Sequence, residues 1–257
     1  LRSAPDRLIE TEISQDLKTA LVGRKVICYD AVDSTNLVLK NLAREGAEDG
    51  TVVVADSQGT GRGRMERAFF SPPGKGIWVS ILLRPTFLPQ DAPKCTLMAA
   101  VAVARAMEKF GLRAAIKWPN DILHDGRKLV GILTEMSAEM DRVNYVVIGI
   151  GINVNIAPED FPAELRSIAT SLMQMKGEPL PRVAFLQELL RALDDLYAQA
   201  EHDGFAPVLA AWREYAVTLG QTVRVIAPAG EEFEGVALDI DAEGALLIET
   251  EAGQRRV

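Results

Sequence analysis

Cysteine and histidine are nearly absent from this chain, and the two gaps remove most thiol and metal chemistry. Only Cys28 and Cys95 occur in 257 residues, too few for a disulfide framework and suited to a reducing cytoplasm. Each reads as a small core hydrophobe. His124 and His202 are the only histidines, too far apart for zinc-ligand spacing. No apolar run approaches the roughly 20 residues that span a bilayer, so no membrane partner is expected. Positive charge is also short, with 28 Lys and Arg against 36 Asp and Glu, a net charge of −8. Residues 219–257 hold eight acids against three arginines, a stretch that a phosphate backbone would repel. Nucleic acid is therefore not an expected partner of this stretch of chain.

Against that deficit stands Gln58-Gly59-Thr60-Gly61-Arg62-Gly63-Arg64-Met65-Glu66-Arg67, with three arginines among glycines. Glycines let backbone N–H groups approach an anion closely. Arginine forks bind carboxylate or phosphate oxygens in bidentate fashion. No Lys followed by Ser or Thr closes the segment, so it is not a Walker loop, and Glu66 replaces the third glycine of a dinucleotide fingerprint. A solvated basic loop is the plain alternative.

The length suggests one large domain plus a small one. Residues 27–29 and 51–55 read as strands, and Asp33 as the N-cap of a helix through Arg44, stopped by Gly46. Further strands are expected at 77–83, 115–118 and 145–150, the last running into spaced glycines. Pro119 ends the strand at 115–118 or places it at a sheet edge. A helix is expected over 92–110, with more helical apolar spacing from Val183 to Tyr197 and from Phe205 to Trp212. From Gln221 the texture changes to short strands and glycine turns, which suits a small barrel.

Asp125-Gly126 favours a two-residue hairpin turn. His124 then pairs with Arg127 and Leu123 with Lys128, so Asp121 and Lys128 share a face about 7–8 Å apart at the backbone, diagonal neighbours within reach of a lysine side chain. A surface ion pair would explain this equally. Ser34-Thr35-Asn36 opens a helix, with hydroxyls and backbone N–H groups at its partly positive end, although N-capping alone needs only one of them. Gly149-Ile150-Gly151-Ile152-Asn153 offers bare backbone to a ligand, or simply tight packing.

In order and spacing, Asp33-Ser34-Thr35-Asn36, Gln58, Gly61-Arg62-Gly63-Arg64, Lys117-Trp118-Pro119-Asn120-Asp121, Arg127-Lys128-Leu129 with Gly131-Ile132-Leu133, and Gly149 to Asn153 resemble the bacterial biotin protein ligases. The resemblance runs from about residue 5 to 257. It implies a mixed α/β catalytic domain like that of class II aminoacyl-tRNA synthetases over 23–218, and a small SH3-like β-barrel over 219–257. It implies a two-step ligation: ATP activates biotin as biotinyl-5′-AMP, and a lysine of the biotin carboxyl carrier protein then takes the biotin. Mg²⁺ would accompany ATP. By position, Ser34, Thr35, Asn36, Gln58, Gly61, Arg62, Arg64, Lys128, Gly131, Gly149 and Gly151 would line the biotin site. Arg64, Arg67, Phe69, Lys117, Trp118, Asn120 and Asn153 would bind the adenylate. Lys128, Arg62, Arg64 and Asp121 would act in catalysis, with Asp121 either assisting the incoming lysine or holding Mg²⁺.

Two positions depart from many relatives, which carry tryptophan at Phe69 and glycine at Glu66. Leu1-Arg2-Ser3-Ala4-Pro5-Asp6-Arg7-Leu8 resembles the end of the winged-helix DNA-binding domain of repressor-type members. Residues 1–22 are therefore expected to be a remnant of that domain and its linker. The parent protein would then be a bifunctional ligase and biotin-responsive repressor, a ligand-promoted homodimer able to bind DNA. Arg255-Arg256-Val257 resembles the start of a last barrel strand that is missing. Two rival readings are a lipoate–protein ligase, which shares this architecture, and a biotin-sensing corepressor core without catalysis. The intact arginines and Lys128 argue against the second.

Overall fold

The computed structural model describes residues 6–61, 69–226 and 232–257. Among the described residues seven strands form one mixed sheet: β1 (Val26–Val32), β2 (Val52–Gln58), β3 (Gly76–Leu83), β4 (Ala115–Lys117), β5 (Asp121–His124), β6 (Arg127–Ala138) and β7 (Val143–Asn153), in the order β1-β2-β3-β7-β6-β5-β4. Strands β1 and β2 run parallel, joined by helix α2 (Thr35–Arg44), and the other neighbours in this sheet are antiparallel. A separate antiparallel sheet follows, with β8 (Thr222–Ile226), β9 (Glu232–Ile240), β10 (Leu246–Thr250) and β11 (Gly253–Arg256) in the order β11-β10-β9-β8. The expected mixed α/β fold with a small all-β C-terminal unit is what is seen.

Alternation along the strands sorts side chains to two faces. Val53, Leu82 and Val147 pack against Leu39 and Ala43 of α2. Val52, Val54, Ile77, Val79, Ile81, Ile148 and Ile150 join the main core. That core includes helices α3 (Lys94–Lys109), α4 (Leu172–Lys176), α5 (Arg182–Asp203) and α6 (Ala206–Tyr215). Ala237, Ile240, Leu246 and Ile248 of the small sheet belong to the same core, so the two sheets share apolar contacts. Short helix α1 (Glu10–Ser14) buries Ile13 there too.

Several expected boundaries move. Helix α2 is capped at Ser34, not Asp33, and the Ser34 side chain makes no capping hydrogen bond. Gly149 and Gly151 lie inside β7, not at its end, because Ser80 and Trp78 of β3 pair with them and continue the ladder. Arg255 and Arg256, expected only at the start of a strand, pair with Ile248 and Leu247 as the end of β11. The edge position of β4 agrees with the limit set by Pro119.

Residues 20–22 are pinned to α5 by a carboxylate. Asp194 accepts backbone N–H bonds from Ala20 at 2.6 Å, Leu21 at 2.9 Å and Val22 at 2.8 Å, and it is only 7% exposed. We predict that Asp194→Ala, which orphans these donors, destabilises the chain by about 1–3 kcal/mol. Thermal melting should fall by about 2–4 °C per kcal/mol in a chain of this size. An unchanged melting curve would refute the role given to this carboxylate.

Candidate active site

One row of cross-strand partners builds the floor. Trp78 pairs with Gly151, Gly151 with Gly131, Gly131 with Asp121, and Asp121 with Lys117. Paired residues share a face, so five strands present these groups on the side where α2 begins. The next row joins Ser80, Gly149 and Leu133, and the one after it Leu82, Val147 and Glu135. Helix α2 covers the last of these rows through Leu39 and Ala43. Its N-terminus stops above Ser80 and Gly149, leaving the Gly131–Gly151 row for a cavity of about 630 Å³.

A register shift between Ile122 and Leu123 sets the chemistry of that cavity. Leu123 pairs with Lys128 and Ile122 with Val130, so β6 carries one extra residue. This bulge puts Lys128 and Gly131 on the same face although they are three residues apart. A Cβ on Gly131 would meet Lys128 Nζ at 3.2 Å. Lys128 Nζ stands 2.7 Å from Asp121 Oδ1, as the hairpin geometry predicts. That oxygen is buried without a hydrogen-bond partner, so the contact is an ion pair of poor hydrogen-bond geometry. The backbone of Lys128 is held from its other side, donating to Ile168 O at 2.7 Å and accepting from Thr170 N at 2.9 Å.

Phe69 lies on the glycine floor. A Cβ on Gly131 or on Gly151 would come within 2.8 Å of its ring. Trp78 meets that ring edge-on at 5.9 Å, and Lys128 Nζ is 5.6 Å from its centroid. The structure thus sets Phe69 against two glycines expected at the biotin end, in the cavity that Lys117, Trp118, Asn120 and Asn153 also line. Gly149 has a different duty. A side chain there would land on Asn36 Oδ1, so this glycine makes room for a protein side chain.

A chain of polar groups closes the other end. Thr35 N donates to Gln58 Oε1 at 2.9 Å, and Gln58 Nε2 donates to Ser71 Oγ at 3.1 Å. Ser80 Oγ lies 2.8 Å from Thr35 Oγ1 and 2.6 Å from Asn36 Oδ1. Asn36 Nδ2 donates to Glu135 Oε2 at 2.9 Å and Leu133 O at 3.2 Å, and Lys40 Nζ lies 2.6 Å from Glu135 Oε1. Ser34 lines the cavity beside them. Gly61 sits at the base of the arginine segment, where it accepts from Phe69 N at 2.7 Å. Arg62, Arg64 and Arg67 lie outside the described residues.

Lys117, Trp118, Asn120 and Asn153 line the same cavity. Asn120 Nδ2 donates to Ile132 O at 2.9 Å, and Asn153 Nδ2 to Thr170 O at 3.0 Å. Trp118 spends its indole N–H on Gly244 O at 3.0 Å, and its backbone N–H on Thr218 Oγ1 at 2.9 Å. It therefore joins the site to the small sheet, whose Arg224 also lines the cavity. Sequence reasoning missed Ser80, Glu135, Lys40 and the wall of Phe161, Leu165, Ile168 and Ala169. A lone hydroxyl in the apolar run of β3 and a lone acid in β6 were the available signals for the first two. Among the described residues no group of three or more His, Cys, Asp or Glu could hold a metal ion, and no helix is long and apolar enough to cross a membrane.

Comparison with known proteins gives matching results. Residues 28–153 match the biotin/lipoate A/B protein ligase family, and residues 218–257 match the biotin protein ligase C terminal domain. The bifunctional ligase/repressor BirA of Bacillus subtilis is 47% identical over 254 residues, 98% of this chain and 78% of that protein. The biotin--[acetyl-CoA-carboxylase] ligase of Mycobacterium tuberculosis is 33% identical, over 95% of this chain and 92% of its own length. Among solved structures, the biotin protein ligase from Aquifex aeolicus in complex with biotin and ATP superposes with a TM-score of 0.79 at 28% identity, covering 91% of this chain and 95% of that one.

We predict that Gly149→Ala, by displacing Asn36, weakens biotin binding roughly 10-fold or more through broken buried hydrogen bonds. Titration calorimetry on the variant, with circular dichroism as a check on folding, measures this. Wild-type affinity in a folded variant would contradict the assigned duty.

Proposed function

We propose a two-step route for this chain, which belongs to the biotin protein ligase family and is a biotin–protein ligase. In the first step a biotin carboxylate oxygen attacks the α-phosphorus of ATP. The bond to the leaving pyrophosphate breaks, and biotinyl-5′-AMP forms. In the second step a lysine amine of a biotin carboxyl carrier protein attacks the carbonyl carbon, the carbonyl–oxygen bond breaks, and AMP leaves.

The observation that carries this reading is the polarity of the cavity. Ser34, Thr35 and Gln58 supply neutral hydrogen-bonding groups at one end, Lys128 supplies a cation at the other, and bare glycine backbone lies between. That sequence suits a neutral ring carrying N–H and C=O groups, an apolar chain and a carboxylate. When the carboxylate arrives, Lys128 exchanges Asp121 for it, a charge-assisted contact in a partly closed site. Arg62, Arg64 and Arg67 would face the phosphates, where charge shifts towards the leaving group.

Mg²⁺ would enter with the ATP phosphates. Asp121 is the acid among the described lining residues, and Mg²⁺ is commonly held by one or two carboxylates plus substrate phosphates. The ion would neutralise phosphate charge. The duty we assign to Asp121 is the alternative one, in the second step. A free lysine has a pKa of about 10.4, so only about one in 2,500 is neutral at pH 7. An acid that already stands against a lysine ammonium is placed to receive the incoming amine and help remove its proton. Lys117, Trp118, Asn120 and Asn153 would frame the adenylate.

A cytoplasmic location and a ligand-promoted homodimer fit this activity, as does a repressor role for a longer form of the chain. The last is supported by the bifunctional ligase/repressor relatives.

ATP–pyrophosphate exchange tests the reading. We predict exchange that depends on biotin and is absent with lipoate. Exchange driven by lipoate would identify the rival ligase, and none with either acid would leave a corepressor core. For Asp121→Asn, transfer from pre-formed biotinyl-AMP should slow while exchange is less affected. If both half-reactions fall together and excess Mg²⁺ restores them, Asp121 holds the metal instead.

A further inference from the structure

We infer that Lys94 is a positioning residue for the nucleotide end of the site: through one turn of the small sheet it fixes the indole of Trp118. The inference rests on the functional reading above, in which Trp118 frames the adenylate, and names what holds that frame from outside the cavity.

Lys94 occupies an unfavourable place for a lysine. It is the first residue of the 16-residue helix α3, at the end where a helix dipole is positive and repels a cation. It is also only 8% exposed, and a buried ammonium needs partners. Two come from its own domain: Asp91 Oδ1 lies 2.6 Å from Nζ, and the Phe205 ring centroid 5.2 Å from it. The third crosses 148 residues of sequence, since Nζ donates to Ala242 O at 3.1 Å, in the turn between β9 and β10.

That turn is shaped to lie on α3. Asp241 Oδ1 accepts from Glu243 N at 2.9 Å and from Ala245 N at 3.0 Å. Arg256 of β11 pairs with both Asp241 and Glu243. Gly244 has a φ of +81°, and a Cβ there would meet Leu97 Cδ1 at 2.8 Å and Lys94 Cγ at 3.4 Å. The turn therefore sits flush on the start of α3, with one carbonyl on Lys94 and the next but one, Gly244 O, on the Trp118 indole N–H at 3.0 Å.

Trp118 depends on that hold. It lines the main cavity and also a second one of about 260 Å³, bounded by Pro93, Leu97, Thr134 and Gly244. The indole is thus a partition with space on two sides. Its backbone is fixed by Thr218 Oγ1 at 2.9 Å, but an indole has a single donor, and Gly244 O takes it. Once the turn lifts from α3, the ring can tilt into the smaller cavity and the adenylate loses a wall. Ser34, Thr35 and Gln58, at the other end of the main cavity, are left as they were.

Lys94→Met keeps the apolar stem and removes the ammonium, and Asp91, 25% exposed, is left to water. The KM for ATP in biotin-dependent pyrophosphate exchange should rise roughly 2- to 10-fold, as for the loss of one hydrogen bond. The biotin Kd in calorimetry should stay unchanged. Gly244→Ala, which lifts the turn by its own side chain, should give the same split and repeats the test if Lys94→Met folds poorly. Trp118→Phe keeps a ring without the N–H and should raise the ATP KM similarly. Adding Lys94→Met to it should then change little, because both act through one contact. A merely structural lysine would instead weaken biotin and ATP together and multiply with Trp118→Phe. Either of those results, or an unchanged ATP KM in both Lys94→Met and Gly244→Ala, would overturn the inference alone. An unchanged ATP KM in Trp118→Phe would overturn the place given to Trp118 in the functional reading, and the inference with it.

Discussion

The pairing of β6 with its two neighbours is the constraint on which the site depends. Between Ile122 and Leu123 the β5–β6 ladder slips by one residue. Without the slip Asp121 would face Val130, and a branched side chain would stand where the floor must be bare. With it, Gly131 faces Asp121 on one side and Gly151 on the other, while Leu129 and Val130 turn fully inward. A bulge of this kind re-aims side chains at the expense of one unpaired residue. Here it delivers Lys128 to the mouth of the cavity and keeps the glycine row continuous. The clamp from Ile168 and Thr170 on the Lys128 backbone fixes the strand from its other side.

Much of this was legible from residue types. The Asp125-Gly126 turn gave the correct pairing of Leu123 with Lys128, and from it the shared face of Asp121 and Lys128. The change of texture near Gln221 marked the small sheet. The motifs around Thr35, Gln58, Lys117, Lys128 and Gly151 all place residues in one cavity. What stayed hidden depends on register across long separations. Ser80 meets Asn36 over 44 residues, and Asn36 meets Glu135 over 99; no local pattern encodes either contact. At Gly149 the missing side chain is visible in sequence, whereas Asn36, which fills the space beside it, is not. The wall of Phe161 to Ala169 carries no motif, only apolar residues that could have joined any core.

The two ends of the cavity divide the work of recognition. A network of buried neutral groups, anchored by the Lys40–Glu135 pair, is rigid because its members have few alternative partners. The cationic end is looser: Lys128 and Asp121 are 36% and 25% exposed, so their contact is readily exchanged. Rigid selection of a ring and adaptable handling of an anion suit the two-step route proposed above. Trp118 adds a mechanical link, since the strand that carries Lys117 leads directly into the indole that docks on Gly244. The small sheet and the residues framing the cavity are thereby tied together.

Orientation of the ligand is the central claim, and a crystal structure of the chain with biotin tests it most directly. The account predicts the ureido ring beside Thr35 and Gln58, with an N–H within hydrogen-bond distance of Thr35 Oγ1, and the carboxylate within ion-pair distance of Lys128 Nζ. A reversed ligand, with its carboxylate at Thr35 and its ring near Asp121, would contradict the account.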